Sequence, residues 1–187
     1  MEATTKSRGG NASGPERLAE TAAGKAKEIK REYAQGEDRP LGAHLTLVAA
    51  YNVLVGGFLL ARARSGKSFP TRIGIGDLLL AGVATHKLSR VIAKDRVTGP
   101  LRAPFTEFEE EGGPGEVEEK PRGRGMRRAI GELLVCPFCL GQWVATGLLT
   151  GLATLPRATR FVCSIFAAVA ISDLLQIFYK GSEEKLL

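Results

Sequence analysis

The sequence predicts an all-α, polytopic membrane protein, with four transmembrane helices preceded by an amphipathic helix on the cytoplasmic side. Charge is segregated: residues 1–40 and 94–128 hold most of it, while 41–61, 135–155 and 161–179 hold almost none. The stretch 41–61 runs twenty-one residues without a formal charge. At about 1.5 Å per residue it reaches roughly 30 Å, the thickness of bilayer hydrocarbon. It and 137–155 are apolar around their whole circumference, whereas a water-facing helix keeps a polar face.

Residues 1–14 are Gly, Ser, Thr and charge, and read as a disordered tail. In 15–40, Leu18, Ala22, Ala26, Ile29 and Tyr33 recur at helical spacing, between Pro15 in a first turn and Gly36 beyond the last. That is a charged helix with a weak seam, solvated or lying on headgroups, followed by a linker. The membrane domain is expected over 41–179, with spans at about 41–61, 73–93, 136–155 and 161–179. "ARARSGKSFPTR" makes a basic turn after the first span.

The second span is less clean, with Asp77 near its start and His86, Lys87 and Arg90 in its last turns. Residues 96–131 form a polar connection that opens on "RVTGPLRAPF", a defined turn near the membrane surface. Its centre, "EFEEEGGPGEVEEKPRGRG", predicts a mobile charged loop over about 106–128. Only "PRATR" separates spans three and four, so they form an antiparallel hairpin. Gly147 and Gly151 stand four apart, a spacing that lets a helix backbone approach closely. Residues 180–187 are a C-terminal tail.

Four spans put both termini on one face. Lys and Arg near the spans are more numerous there than beside the two short turns, which places both termini in the cytoplasm of a multi-pass cell-membrane protein. Spans two and four then run in the same direction, and His86 and Asp173 fall at similar depth. An acid in hydrocarbon requires a partner, water or a proton, so Asp173 is a candidate for a helix-packing pair with His86, Lys87 or Arg90, or for an ion pathway.

Cys136 and Cys139 frame the entrance of the third span. Three readings of the pair stay open: a redox dithiol at a helix start, half of a zinc site lacking its other ligands, or structural thiols at an interface. No cofactor is expected, and zinc is the one candidate these thiols would take. The net charge of +6 comes with few aromatics and no basic run interleaved with stacking residues, which excludes nucleic acid as a partner. The expected partners are the lipid bilayer and either a second copy of the chain or another membrane protein. Neither a P-loop nor a serine–histidine–acid arrangement is legible, so the chain leans away from an enzyme toward a structural, assembly or regulatory role.

"ATHKLSRVIAKDRVTGPLRAPF" followed by "CPFCLGQW" resembles the bacterial membrane family known as domain of unknown function 1360, some of whose members are described as sporulation membrane proteins. The resemblance covers about 41–179 and rests on Arg90, Asp95, Pro100 and Arg102 with Cys136, Pro137, Cys139, Gly141 and Trp143. It implies an integral membrane protein and supplies no activity. It also implies that Arg90, Asp95, Arg102 and the cysteines gather on one membrane face, where they could form a single site.

Overall fold

A computed structural model of the protein describes residues 14–34, 39–66 and 72–183. Nearly all of the tail expected at 1–14, the helix end expected at Gly36, half of the tail at 180–187 and part of the basic turn at 61–72 lie outside the described residues. The chain falls into two compact units, Met1–Leu41 and Gly42–Leu187. The first holds helix α1, Gly14–Ala34, whose seam residues Leu18, Ile29 and Tyr33 are exposed.

The second unit is mostly helical. α2 spans Leu41–Arg64 and α3 Ile75–Lys94; a 3-10 turn, Arg96–Thr98, and the four-residue α4, Gly99–Arg102, follow. Strands β1, Thr106–Glu111, and β2, Val117–Pro121, pair antiparallel. Then come α5, Gly125–Leu134, α6, Pro137–Thr154, and α7, Pro156–Glu183.

Three expectations are corrected. The fold is not purely α, because the segment predicted as a mobile loop over about 106–128 is a β-hairpin leading into α5. Its turn is Gly112–Gly115, where Gly115 takes φ 78, a left-handed conformation that suits glycine. A bulge between Phe108 and Glu110 shifts the register, so that Glu110 faces Glu118 and Thr106 faces Pro121. The "PRATR" linker is the first turn of α7, since a proline at a helix start loses no hydrogen bond there. Lastly, the third apolar segment is entered through α5, which meets α6 at 81°.

By length and composition, α2 and α7 can each cross a membrane, and the bent pair α5–α6 makes a third candidate. α3, read from the sequence as a span, is not among them; Asp77, Lys87, Arg90 and Lys94 all lie within its twenty residues.

α3, α6 and α7 pack around Ala81, Ala84, Leu148, Leu152 and Cys163, flanked by Leu80, Val144, Leu149 and Phe166. Ala81 and Ala84 are small enough to let neighbouring helices come close. Gly151 works likewise: a Cβ there would lie 2.6 Å from Thr159 Oγ1 of α7, whereas one at Gly147 would meet nothing within 4 Å. Of the two glycines singled out in the sequence, Gly151 alone sits at a close approach.

α2 buries no residue. It touches the rest through polar side chains: Tyr51 Oη lies 2.7 Å from Thr146 Oγ1, and its ring meets Trp143 edge-on at 5.1 Å. Arg62 donates to the Ala153 carbonyl at 3.0 Å, and His44 lies 2.6 Å from Glu132 of α5. Leu45, Val53 and Leu54 are left facing outward.

Candidate functional site

The polar end of the helix bundle is built on a helix-capping problem. The last carbonyls of any α-helix lack partners within it. In α3 they are taken by the segment that follows: the Thr98 hydroxyl lies within reach of Val91 O and Asp95 O, which share its single proton, and Arg102 donates to Ile92 O at 2.8 Å and to Asp95 O at 3.0 Å. Arg102 is 1% exposed. A guanidinium has five N–H groups, and all five are used. Two form a bidentate pair with Glu119, at 3.0 and 2.8 Å, two reach the carbonyls just named, and the fifth reaches Thr98 Oγ1 at 2.6 Å. A cation at a helix C-terminus is also favoured by the dipole.

Glu119 arrives from β2 and accepts a third hydrogen bond from Thr106 Oγ1 at 2.6 Å. Burial alone would push its carboxyl up. The hydrogen bonds from Arg102 and Thr106, with the charges of Arg102 and Lys94, outweigh that and hold it below the ordinary value.

Three further acids of the hairpin are matched by bases in the same way. Glu116 takes a bidentate bond from Arg90, at 3.0 and 2.6 Å, Glu118 pairs with Lys94, and Glu111 with Arg96. Backbone bonding joins the elements too: Asp95 bridges to Glu116, and Arg96 N donates to Gly115 O at 3.0 Å. The Asp95 carboxylate serves locally, accepting from Val97 N at 3.2 Å. The 3-10 turn, α4 and the hairpin together form a polar head on the end of α3, and α5 packs against it at β2. Arg127 Nε donates to Pro104 O at 2.7 Å, and Gly131 presses on Phe105 and Pro121 so closely that a Cβ would collide with the Phe105 carbonyl.

Arg90, Asp95 and Arg102 lie at or just beyond the end of α3, and the two arginines pair with Glu116 and Glu119, from the stretch the sequence suggested was a mobile charged loop. Among the described residues, no hydrogen bond or ion pair joins them to Cys136 or Cys139. The complementary signal was present, since an acidic block follows a basic helix end, but charge composition alone does not distinguish a solvated run from a paired one.

Cys136 is the N-cap of α6, and its Sγ accepts the Cys139 N–H at 3.2 Å, with Pro137 in the first turn. Cys139 is exposed, and Phe138 between them is 93% exposed. Cys163 is buried in the core. Among the described residues, no group of three His, Cys, Asp or Glu side chains converges in a way that could hold a metal ion. Two thiols alone do not close a zinc site.

Along the bundle, Asp173 pairs with Lys87 at 2.6 Å. Arg90 is engaged by Glu116 instead, and His86 is exposed. A second pair, Asp77 with Arg160, is bidentate at 2.8 and 2.7 Å and ties the starts of α3 and α7 together. The two pairs show that α3 and α7 run in the same direction.

Comparison with known proteins gives a match over residues 79–179 to a family described as protein of unknown function, DUF1360. The match begins within α3, so it leaves out α2, which the sequence resemblance had included. The chain is 31% identical over 102 residues to sporulation protein YjcA of Bacillus subtilis (strain 168), an alignment covering 53% of this chain and 86% of the relative. No solved structure matches.

Proposed function

The chain belongs to the DUF1360 family, and from that premise we propose that it is a multi-pass membrane protein with a structural, assembly or regulatory role. Four helices, α2, α3, α6 and α7, cross the bilayer. The hairpin, α4 and α5 lie at the cytoplasmic surface together with both termini. The observation that carries this reading is α2: none of its apolar window is buried, so in water it would expose a full helix of hydrocarbon. α7 supports it, with Phe161, Ile171, Leu175 and Phe178 exposed along its length.

α3 is the innermost of the four, and its charges have partners at both ends, which lowers the cost of placing it in hydrocarbon. The Lys87–Asp173 pair supports a packing role for Asp173 rather than a conducting one. The name of the Bacillus relative directs the proposal to a membrane that takes part in sporulation.

Reporter fusions test the topology. Fusions placed in the 66–72 turn should report the outer side, and fusions at Gly113 and the C-terminus the cytoplasm. Alkaline extraction should leave the protein in the membrane. Recovery in the soluble fraction, or a hairpin turn and C-terminus on opposite sides, would refute the proposal.

A further inference from the structure

We propose that α5 and the arginines leading into it are a docking surface for anionic phospholipid headgroups, a role that rests on the four-span arrangement proposed above. Residues 120–131, "KPRGRGMRRAIG", carry Lys120, Arg122, Arg124, Arg127 and Arg128 and no acid. At the end of α3 the bases are consumed within the protein, since Arg90, Lys94, Arg96 and Arg102 each meet a hairpin acid. Arg128 is likewise held by Glu132 at 3.0 Å, and Arg122 lies 3.7 Å from Glu107. Arg124 and Arg127 differ. Both are exposed, and among the described residues neither meets an acid; Arg127 donates through Nε to Pro104 O at 2.7 Å.

The fold sets where these two charges stand. α5 meets α6 at 81°, so when α6 crosses the bilayer, α5 lies along its surface. At about 1.5 Å per residue, α5 covers roughly 15 Å of that plane. Gly131 is pressed against Phe105 and Pro121, which fixes the rotation of α5 with one side on the head. Met126, Ile130 and Leu134 recur at helical spacing on another side, Met126 exposed and the other two half-buried. An apolar row beside arginines, on a helix lying in the plane at the mouth of a span, is the pattern of an interfacial helix. Its apolar side chains enter the boundary with the acyl chains, and the guanidiniums reach phosphate oxygens, which they bind two at a time.

Val97 and Leu101, 84% and 76% exposed on the segment that caps α3, add apolar surface at the same end of the bundle. The apolar row and the orientation of α5 favour a bilayer over an acidic protein, which would call for neither. The unpaired arginines favour anionic lipid, because a zwitterionic headgroup carries its own ammonium beside the phosphate. Each arginine close to an anionic surface should strengthen the association about fivefold.

The full chain, purified in a non-ionic detergent, is titrated with phosphatidylglycerol or phosphatidylcholine, and bound lipid is counted by native mass spectrometry. Phosphatidylglycerol should bind the tighter of the two, and the preference should shrink as salt rises. Arg124→Gln, at a side chain with no partner among the described residues, should weaken phosphatidylglycerol about fivefold, and Arg124→Lys should stay within about twofold of wild type. Adding Arg127→Gln should weaken it further. Arg64→Gln with Arg157→Gln, exposed arginines at the opposite end of the bundle, should leave it unchanged. In nanodiscs the amides of α5 should exchange more slowly when phosphatidylglycerol is present, and the Arg124→Gln, Arg127→Gln variant should abolish that difference. Equal binding of the two lipids, equal losses in the two pairs of variants, or displacement by inorganic phosphate beyond that by chloride of equal ionic strength would overturn the proposal. Absence of a preference in protein that resists alkaline extraction and has the expected topology defeats the lipid surface alone; recovery in the soluble fraction defeats the membrane arrangement itself.

Discussion

Replacing Arg102 by methionine removes the cation on which the head is built. The side chain is 1% exposed and Glu119 is 8% exposed, so water does not readily take its place. Removing one partner of a buried ion pair costs about 3–5 kcal/mol. Ile92 O loses the Arg102 bond as well, because Arg96 N is directed to Gly115 O, and an orphaned carbonyl adds about 1–3 kcal/mol. The sum, roughly 4–8 kcal/mol, is comparable with the whole stability of a domain, about 5–15 kcal/mol. The hairpin should therefore open locally while α6 and α7 stay folded.

Hydrogen exchange of amides 106–121, with α6 and α7 as internal controls, reads this directly in protein held in nanodiscs. At about 1.4 kcal/mol per factor of ten, the hairpin should exchange about a thousandfold faster or more. Glu119→Gln should do less, since Arg102 keeps its three uncharged acceptors and an amide oxygen. Acid supplies the sign. The Glu119 carboxyl lies below the ordinary value of 4.5 in the folded protein, so its contribution is complete above that value and is lost as pH falls through the lowered one. In Arg102→Met the carboxylate is buried without its cation, its pKa rises, and acid relieves part of the defect. Hairpin exchange within tenfold of wild type in Arg102→Met, or the same acid response in both proteins, would refute the reasoning.

Gly131→Ala should destabilise the head by about 1–3 kcal/mol, read by proteolysis of the hairpin, because the Phe105 carbonyl cannot rotate away as a side chain can. Gly151→Ala should lower the melting temperature in detergent and be rescued by Thr159→Ala, while Gly147→Ala should be neutral; equal effects at the two glycines would discredit the packing read from the structure. Lys87→Ala leaves Asp173 unpaired and should cost about 2.5–3.5 kcal/mol if that residue lies in hydrocarbon. The exchange Lys87→Asp with Asp173→Lys should restore folding lost in each single variant, and absence of rescue would remove the pair from the account.

The apolar cores of α2, α3, α6 and α7 and the entry of α6 at Pro137 were legible in the sequence, because helix signals are local: runs of apolar residues, a proline in a first turn, a change of charge; α5 and the first turn of α7 were not. That Arg90, Asp95 and Arg102 fall at or just beyond the end of α3 follows from where that helix stops; a single site joining them to the cysteines was implied by the resemblance alone. What the two arginines bind was not legible. "TEFEEE" has no alternation of apolar residues to announce a strand, and its acids carry the same sign as their neighbours. Only the tertiary structure places Glu116, Glu118 and Glu119 against Arg90, Lys94 and Arg102, and a charged run becomes an ordered hairpin when these acids meet bases at the end of α3, one of which, Arg102, also caps that helix. The partner of Asp173 turned on the same distinction. Sequence spacing put three bases at about the right depth, and the rotation of α3 against α7, which no local pattern encodes, selected Lys87.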